Sequence, residues 1–210
     1  GMDAAVRAIK PGLTEVEVLG EAEYAMRKAG SEGCPFRAQV VAGERAMLTH
    51  PYAENRPIAG DQIVVIHLGA SVNGYSSKMC RTIALGDVPD EQREAYSVLV
   101  EAQTAAIDSL APGRTAHEVD AAARRIVEEA GLGEYFIDDI GYGIGLRQSE
   151  FYPIIGKNRP HVISENMVVD LMFPTLYKRG AGGPRVTDVI LVTADGPRIL
   201  TDYPNSMIDR

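Results

Sequence analysis

The sequence predicts an α+β fold made of two related halves, with curved antiparallel strands inside and helices outside. Three observations lead there. Pro11, Gly12, Thr14, Glu17, Val18, Ala22, Ala29 and Gly30 recur 101 positions later as Pro112, Gly113, Thr115, Glu118, Val119, Ala123, Ala130 and Gly131. Eight identities at one offset are more than two coincident capping boxes would give, and self-similarity at a fixed spacing marks a repeated structural unit. Each half also runs helix first and apolar strands second, with Gln62–Val65 (QIVV) echoed by Asn166–Val169 (NMVV). Finally, Gly60–Thr82, GDQIVVIHLGASVNGYSSKMCRT, has the outline of a hairpin: a buried strand, a turn, and a second strand closed by Arg81-Thr82.

The first half opens with a short helical segment, Asp3–Ile9, stopped by Pro11-Gly12. Thr14-Glu15-Val16-Glu17 reads as a capping box, in which hydroxyl and carboxylate each satisfy a helix N–H that has no intrahelical partner. The helix that follows carries Val18, Leu19, Ala22, Ala25 and Met26 on one face and ends at Gly30. Arg37–Ala42 reads as a strand, and the loop from Gly43 to Pro57 carries His50. Gln62–Leu68 is a nearly continuous apolar run, the pattern of a strand buried on both faces. An Asn-Gly signal within Val72–Tyr75 marks the turn, and Tyr75–Leu85 is the returning strand.

The second half opens with a long helix over Asp90–Leu110, closed by Ala111-Pro112-Gly113. Thr115 to Glu118 begin another capped amphipathic helix, which ends at Ala130-Gly131. Beyond Tyr135–Ile140 and Gly141–Gly145 (GYGIG), residues Arg147–Arg159 read as a loop. Asn166–Phe173 and Thr187–Thr193 read as strands joined through Gly180-Ala181-Gly182-Gly183, and Asp195-Gly196 turns into a last strand, Arg198–Leu200.

Composition narrows the function. The chain of 210 residues is 45% hydrophobic and 24% charged, as expected of a globular protein with a sizeable core. No linker or low-complexity stretch interrupts it, so residues 1–210 are read as one domain. A net charge of −8 argues against nucleic-acid binding, which relies on clustered Lys and Arg. No apolar run approaches the roughly 20 residues needed to span a bilayer, and the start lacks the pattern of a secretory signal. Cys34 and Cys80 are too few for a disulfide framework, which points to a cytoplasmic protein.

In their order and spacing, PGxTExE near the start, His50 in THPYAENRPIAGD, GYSSKMCRT, GYGIG, NMVV and VTADGPRILTDYP resemble the pita-bread family of methionine aminopeptidases, Xaa-Pro aminopeptidases, prolidases and creatinase. The resemblance covers essentially all 210 residues. Among the members, creatinase is the closest likeness, through GAGGPR, MVV and the His50 loop. The resemblance implies the pita-bread fold, a homodimer, and an N-terminal domain of the creatinase type preceding this chain.

Metal-dependent members hold two divalent ions with two Asp, one His and two Glu. Matched residue by residue, the Asp positions fall on His67 and Lys78, the His position on Tyr142, the first Glu on Met172, and the second on Val186 or Thr187. All five are changed. A lysine places a positive charge where a dication would sit, and a methionine offers only soft sulfur. No metal site and no cofactor are therefore expected. Creatinase, which resembles this chain in working without metal, uses a His that matches His50. The carboxylates that support it fall on Cys80 and Met172, and the downstream pocket His of the family matches Ser149, followed by Glu150.

His50, Lys78 and Tyr142 are the catalytic candidates. His50 is either a proton carrier with a suitable pKa or a structural loop residue. Lys78 is either a substrate anchor, base or nucleophile, or a counter-ion to Asp170 or Asp188. Tyr142 either donates to an oxyanion or fills the space of a lost His. His67, Cys80, Ser149, Glu150 and Met172 are candidate substrate-binding residues. Cys80 either pairs with His50 as thiolate and imidazole or is an inert strand residue, and His67 is either functional or a hydrogen-bonded core histidine. Arg81 is expected to pair with a buried carboxylate, while His117 and His161 are expected to be solvated. Two functions follow: a metal-independent hydrolase or lyase of a small C–N-bonded substrate (an amidine, amide or short peptide), or a catalytically inactive domain that binds a peptide or protein.

Overall fold

The computed structural model describes residues 1–172 and 176–210 and, of Met172, the backbone alone. Chain order is α1 (Met2–Ala8), α2 (Glu15–Lys28), β1 (Gln39–Ala42), β2 (Gln62–Val72), β3 (Tyr75–Leu85), α3 (Asp90–Ser109), α4 (Ala116–Glu129), β4 (Asp139–Gly143), β5 (Glu150–Gly156), β6 (Val168–Met172), β7 (Thr187–Thr193), β8 (Gly196–Ile199) and β9 (Ile208–Asp209). The strands form one sheet in the order β1-β2-β3-β7-β6-β4-β5, with β8 beside β7 and β9 beside β3. Every pairing along that path is antiparallel.

Local chemistry sets the helix starts. At Thr14 and Thr115 the hydroxyl accepts from the N–H of Glu17 and Glu118, each at 3.2 Å, while that glutamate accepts from the threonine N–H at 2.7 Å. Each reciprocal cap contributes about 1 kcal/mol. The hairpin turn is Asn73-Gly74, with φ of 51° and 77°, the paired positive values that a tight two-residue hairpin turn requires.

The two halves correspond strand for strand, β1 to β4, β2 to β6 and β3 to β7, and they meet where β3 pairs with β7. Each helix-start threonine also bridges to its own half's loop, Thr14 to Pro57 and Thr115 to Val162. Pro57 and Val162 lie 105 positions apart, so the offset of 101 at the helices has grown by four residues before the strands. This corrects the alignment of QIVV with NMVV by one residue. A one-residue slip exchanges the two faces of a strand, and the corrected frame sets Ile63, Val65 and His67 against Val168, Asp170 and Met172.

Alternation along the strands divides the sheet into two faces. On the outer face Val40, Val64, Ile66, Leu68, Ile83 and Leu85 pack with α1 and α2, while Ile140, Ile155, Val169, Leu171, Ile190 and Val192 pack with α3 and α4. On the inner face Val41, Ile63, Val65, Cys80 and Ala84 form a smaller core. The both-face burial expected for β2 therefore holds as far as Leu68.

Three expectations change. Part of the loop expected over Arg147–Arg159 is strand β5, which pairs with β4 through Asp139↔Gly156, Gly141↔Ile155 and Tyr142↔Ile154. The strand expected over Asn166–Phe173 is observed as Val168–Met172, and Phe173 lies outside the described residues. A short strand not anticipated, β9, closes against β3 through Ile83↔Ile208.

Candidate functional site

Register brings the candidates together. Gln39, His67, Cys80, Thr187 and Met172 form a row across β1, β2, β3, β7 and β6, each paired with the next. Directly paired antiparallel residues share a face, so the inner face also receives Lys78, two residues from Cys80, and Asp170, two residues from Met172. Tyr142 on β4 pairs with Asp170. A Cβ at Gly141 would lie 2.6 Å from the Asp170 carbonyl oxygen, so the glycine admits β6 at close range beside Tyr142.

Of these, Gln39, His67, Lys78 and Tyr142 line a cleft of about 350 Å³, together with Phe36, Arg37, His50, Tyr52, Gln148 and Ser149. Lys78 is almost fully buried, its side chain 2% exposed. Its ammonium is ion-paired with Asp170 Oδ2 and donates to Ser149 Oγ at 3.0 Å. The other Asp170 oxygen accepts the Tyr142 backbone N–H at 2.8 Å. Burial raises the Asp170 carboxyl above its ordinary value, and the Lys78 charge pulls it back. Of the two carboxylates expected as partners for Lys78, it is Asp170 that pairs; Asp188 instead holds Arg81 at 2.7 Å, as expected of that arginine.

His67 lies 4.6 Å, centroid to centroid, from the Phe36 ring. Gly69 makes room for this, because a Cβ there would stand 2.4 Å from Phe36 Cε1. His67 Nε2 is buried without a hydrogen-bond partner among the described residues. Burial, reinforced by Lys78 and Arg185, lowers its pKa to about 3, so the imidazole is neutral across the physiological range. The unfolded value is near 6.5, so between pH 3 and 6.5 the folded state binds fewer protons than the unfolded one. The contribution of His67 to stability is therefore complete above pH 6.5 and declines on acidification. Urea titrations from pH 7 to 4 are expected to show wild type losing up to about 1.4 kcal/mol more per pH unit than His67→Gln. Parallel pH profiles would contradict a buried, neutral His67.

Tyr142 is half-buried, and its phenol is raised above the usual value, chiefly by burial and then by Asp139 and Asp170; it remains a proton donor. His50 is exposed at the mouth of the cleft. Arg185 anchors the segment before it, donating to the carbonyls of Ala46 at 2.9 Å and Leu48 at 2.5 Å. Beside it the Arg37 guanidinium stacks 3.6 Å from the centroid of the Tyr52 ring.

Two candidates stay outside the cleft lining. Cys80 is packed with Val41, Ile63, Val65 and Ala84, where burial pushes its thiol up to about 12; a thiolate paired with His50 does not form there. Glu150 begins β5 and is not among the lining groups. The Met172 side chain lies outside the described residues. His117 is exposed on α4, and His161 packs against Tyr152 with ring centroids 5.0 Å apart. Sequence reasoning did not single out Phe36, Arg37, Gln39, Tyr52 or Gln148, and it gave Asp170 no role beyond counter-ion. The usable signal was a polar residue inside an apolar strand, Gln39 in RAQVVA and Asp170 in MVVDLM, since buried polar groups need partners.

A family model described as metallopeptidase family M24 matches residues 1–194. An Xaa-Pro dipeptidase of Pyrococcus furiosus is 39% identical over 205 residues, which is 98% of this chain and 58% of that protein. Among solved structures, the prolidase of Pyrococcus horikoshii OT3 superposes with a TM-score of 0.93 at 37% identity, covering 99% of this chain and 59% of that one. An Xaa-Pro dipeptidase from Bacillus anthracis gives 0.94 at 34% identity, covering 100% and 58%. The curled antiparallel sheet with its helices is thus the pita-bread fold, and the chain spans somewhat over half the length of these relatives. Among the described residues no helix is long and apolar enough to cross a membrane.

Proposed function

The chain belongs to metallopeptidase family M24, and from that premise we propose that it is a hydrolase of a small C–N-bonded substrate, a short peptide, amide or amidine, working without the family's two-metal centre. The observation that carries this reading is the polar lining of the cleft: Lys78, Tyr142, His67, His50 and Ser149 face one space of about 350 Å³. An abandoned site would be filled by apolar side chains, whereas this one keeps donors and acceptors around a substrate-sized volume.

The donor set does not fit two bridged cations, which need several carboxylate oxygens. In this reading all five ligand positions are replaced, at His67, Lys78, Tyr142, Met172 and Val186 or Thr187. The Asp170 carboxylate is already taken by the Lys78 ammonium, and no three His, Cys, Asp or Glu among the described residues are grouped to hold a metal. The protonated Tyr142 phenol donates to the oxyanion that develops on the substrate. His50, at the solvent side, exchanges protons between the cleft and water. The working unit is proposed to be a cytoplasmic homodimer, in which residues 1–210 are one domain preceded by another.

A second reading, a peptide- or protein-binding domain without turnover, is favoured by one fact: the Lys78 ammonium is occupied within the chain, by Asp170 and Ser149. One experiment separates the two. The purified protein is analysed for metal and tested for turnover and for calorimetric binding against dipeptides, N-acyl amino acids and guanidino acids. Turnover in metal-free protein is expected, reduced about 100-fold in Tyr142→Phe. Stoichiometric metal with chelator-sensitive turnover would overturn the metal-free reading, and binding without turnover would leave the second.

A further inference from the structure

We propose that Ser149 is a nucleophile activated by Lys78, with Asp170 as the positioning residue, so that the cleft carries out covalent acyl transfer; this rests on the hydrolase reading above. The geometry is that of nucleophile, base and orienter in series. Lys78 Nζ lies 3.0 Å from Ser149 Oγ and is paired on its other side with Asp170, which is itself fixed by the Tyr142 N–H at 2.8 Å. The three side chains come from separate elements: Lys78 from β3, Asp170 from β6, and Ser149 from the segment before β5. That segment is tied to the β2–β3 hairpin by the Ser76 N–H, which donates to the Gly145 carbonyl at 2.7 Å. Among the described residues Ser149 Oγ otherwise donates to Gln148 Oε1, a weaker contact at 3.3 Å that its hydroxyl can leave. Ser149 is half-buried and lines the cleft, as does Tyr142, whose phenol is the proposed oxyanion donor.

The chemistry balances without an added cofactor. Lys78 passes one proton across the ion pair to Asp170, so that its free amine, 3.0 Å from Ser149 Oγ, can accept the serine proton. Lys78 takes the Ser149 proton as Oγ forms a bond to the substrate carbonyl carbon, and the resulting oxyanion accepts from the Tyr142 phenol. The same proton moves from Lys78 to the leaving nitrogen as the C–N bond breaks, releasing the amine and leaving an ester on Ser149. Water then gives a proton to Lys78 as it bonds to the ester carbonyl carbon, and Lys78 returns that proton to Ser149 Oγ as the C–O bond breaks, releasing the acid and regenerating the serine. Asp170 acts only through Lys78, by holding Nζ in line and taking its extra proton.

The test is covalent labelling of the full chain with a fluorophosphonate, read by intact mass and peptide mapping, alongside turnover of whichever substrate the screen yields. One label on Ser149 is expected, absent in Ser149→Ala, with turnover in that variant down about 1,000-fold and an unchanged melting temperature. Asp170→Asn is expected to move the pH profile of labelling, an effect that a purely structural carboxylate would not produce. A wild-type chain that hydrolyses substrate but takes no label at Ser149, or a folded Ser149→Ala that keeps wild-type turnover, overturns the nucleophile while leaving the hydrolase standing. Label on Ser149 with no turnover of any substrate keeps the nucleophile and sinks the hydrolase reading instead.

Discussion

Replacing Lys78 by Met is expected to lower the unfolding free energy by about 3–5 kcal/mol, and replacing Lys78 and Asp170 together by Met and Leu to recover most of that loss. The asymmetry follows from burial. Asp170 is fully buried and Lys78 nearly so, so the single variant strands a buried carboxylate held only by backbone N–H groups, that of Tyr142 among them. The double variant removes both charges, and with them the desolvation that each had to offset. Denaturant titration of the three proteins checks this: equal losses in the single and double variants would mean that the pair stabilises by packing, not by charge. The double variant should also fold without turnover, which separates the electrostatic role of the pair from its chemical one.

Arg81→Lys is expected to cost about 3 kcal/mol or more, although the charge is kept. The Arg81 side chain is 1% exposed, and all five of its donors are used. Nε donates to the Pro204 carbonyl at 2.7 Å, Nη1 to the carbonyls of Cys80 and Thr187 at 2.7 and 2.8 Å, and Nη2 to Asp188 Oδ1 and the Tyr203 carbonyl at 2.7 and 2.8 Å. A lysine has three donors on one nitrogen and no planar fork. At least two of these five acceptors would then be left without a partner, at about 1–3 kcal/mol each where buried. The loss is read as a fall in the urea midpoint with the slope unchanged; a shift under 1 kcal/mol would mean that water replaces the missing donors.

Much of the fold was legible because its signals are local. The two capping boxes placed α2 and α4, and the Asn-Gly turn with its flanking apolar strands gave β3 its observed limits, Tyr75–Leu85. β5 was not legible, since its short apolar run FYPII is interrupted by Pro153 and flanked by polar residues; its strand character comes from pairing with β4. The site was legible only in outline. Lys78, Tyr142, His50, His67 and Ser149 converge, but β2 is apolar on both faces and so conceals which of its residues point inward. That same ambiguity set QIVV against NMVV one residue out of frame. The placement of Arg37 and Gln39 in the cleft depends on the pairing Gln39↔His67, a contact between distant segments that no local pattern reports.

The seam between the halves bears on the order in which the molecule assembles. β3 and β7 share a single ladder pair among the described residues, Cys80↔Thr187; the joint also carries side-chain contacts, Arg81 with Asp188, Thr82 Oγ1 with the Arg185 backbone at 2.8 Å, and Lys78 with Asp170. Each of these contacts closes a loop of roughly a hundred residues, an entropic cost met only after both hairpins exist. Contacts formed that late are absent from the folding transition state, so weakening them accelerates unfolding and hardly slows folding. The cleft rests on this seam, and the lifetime of the assembled site is therefore governed by how fast the two halves part.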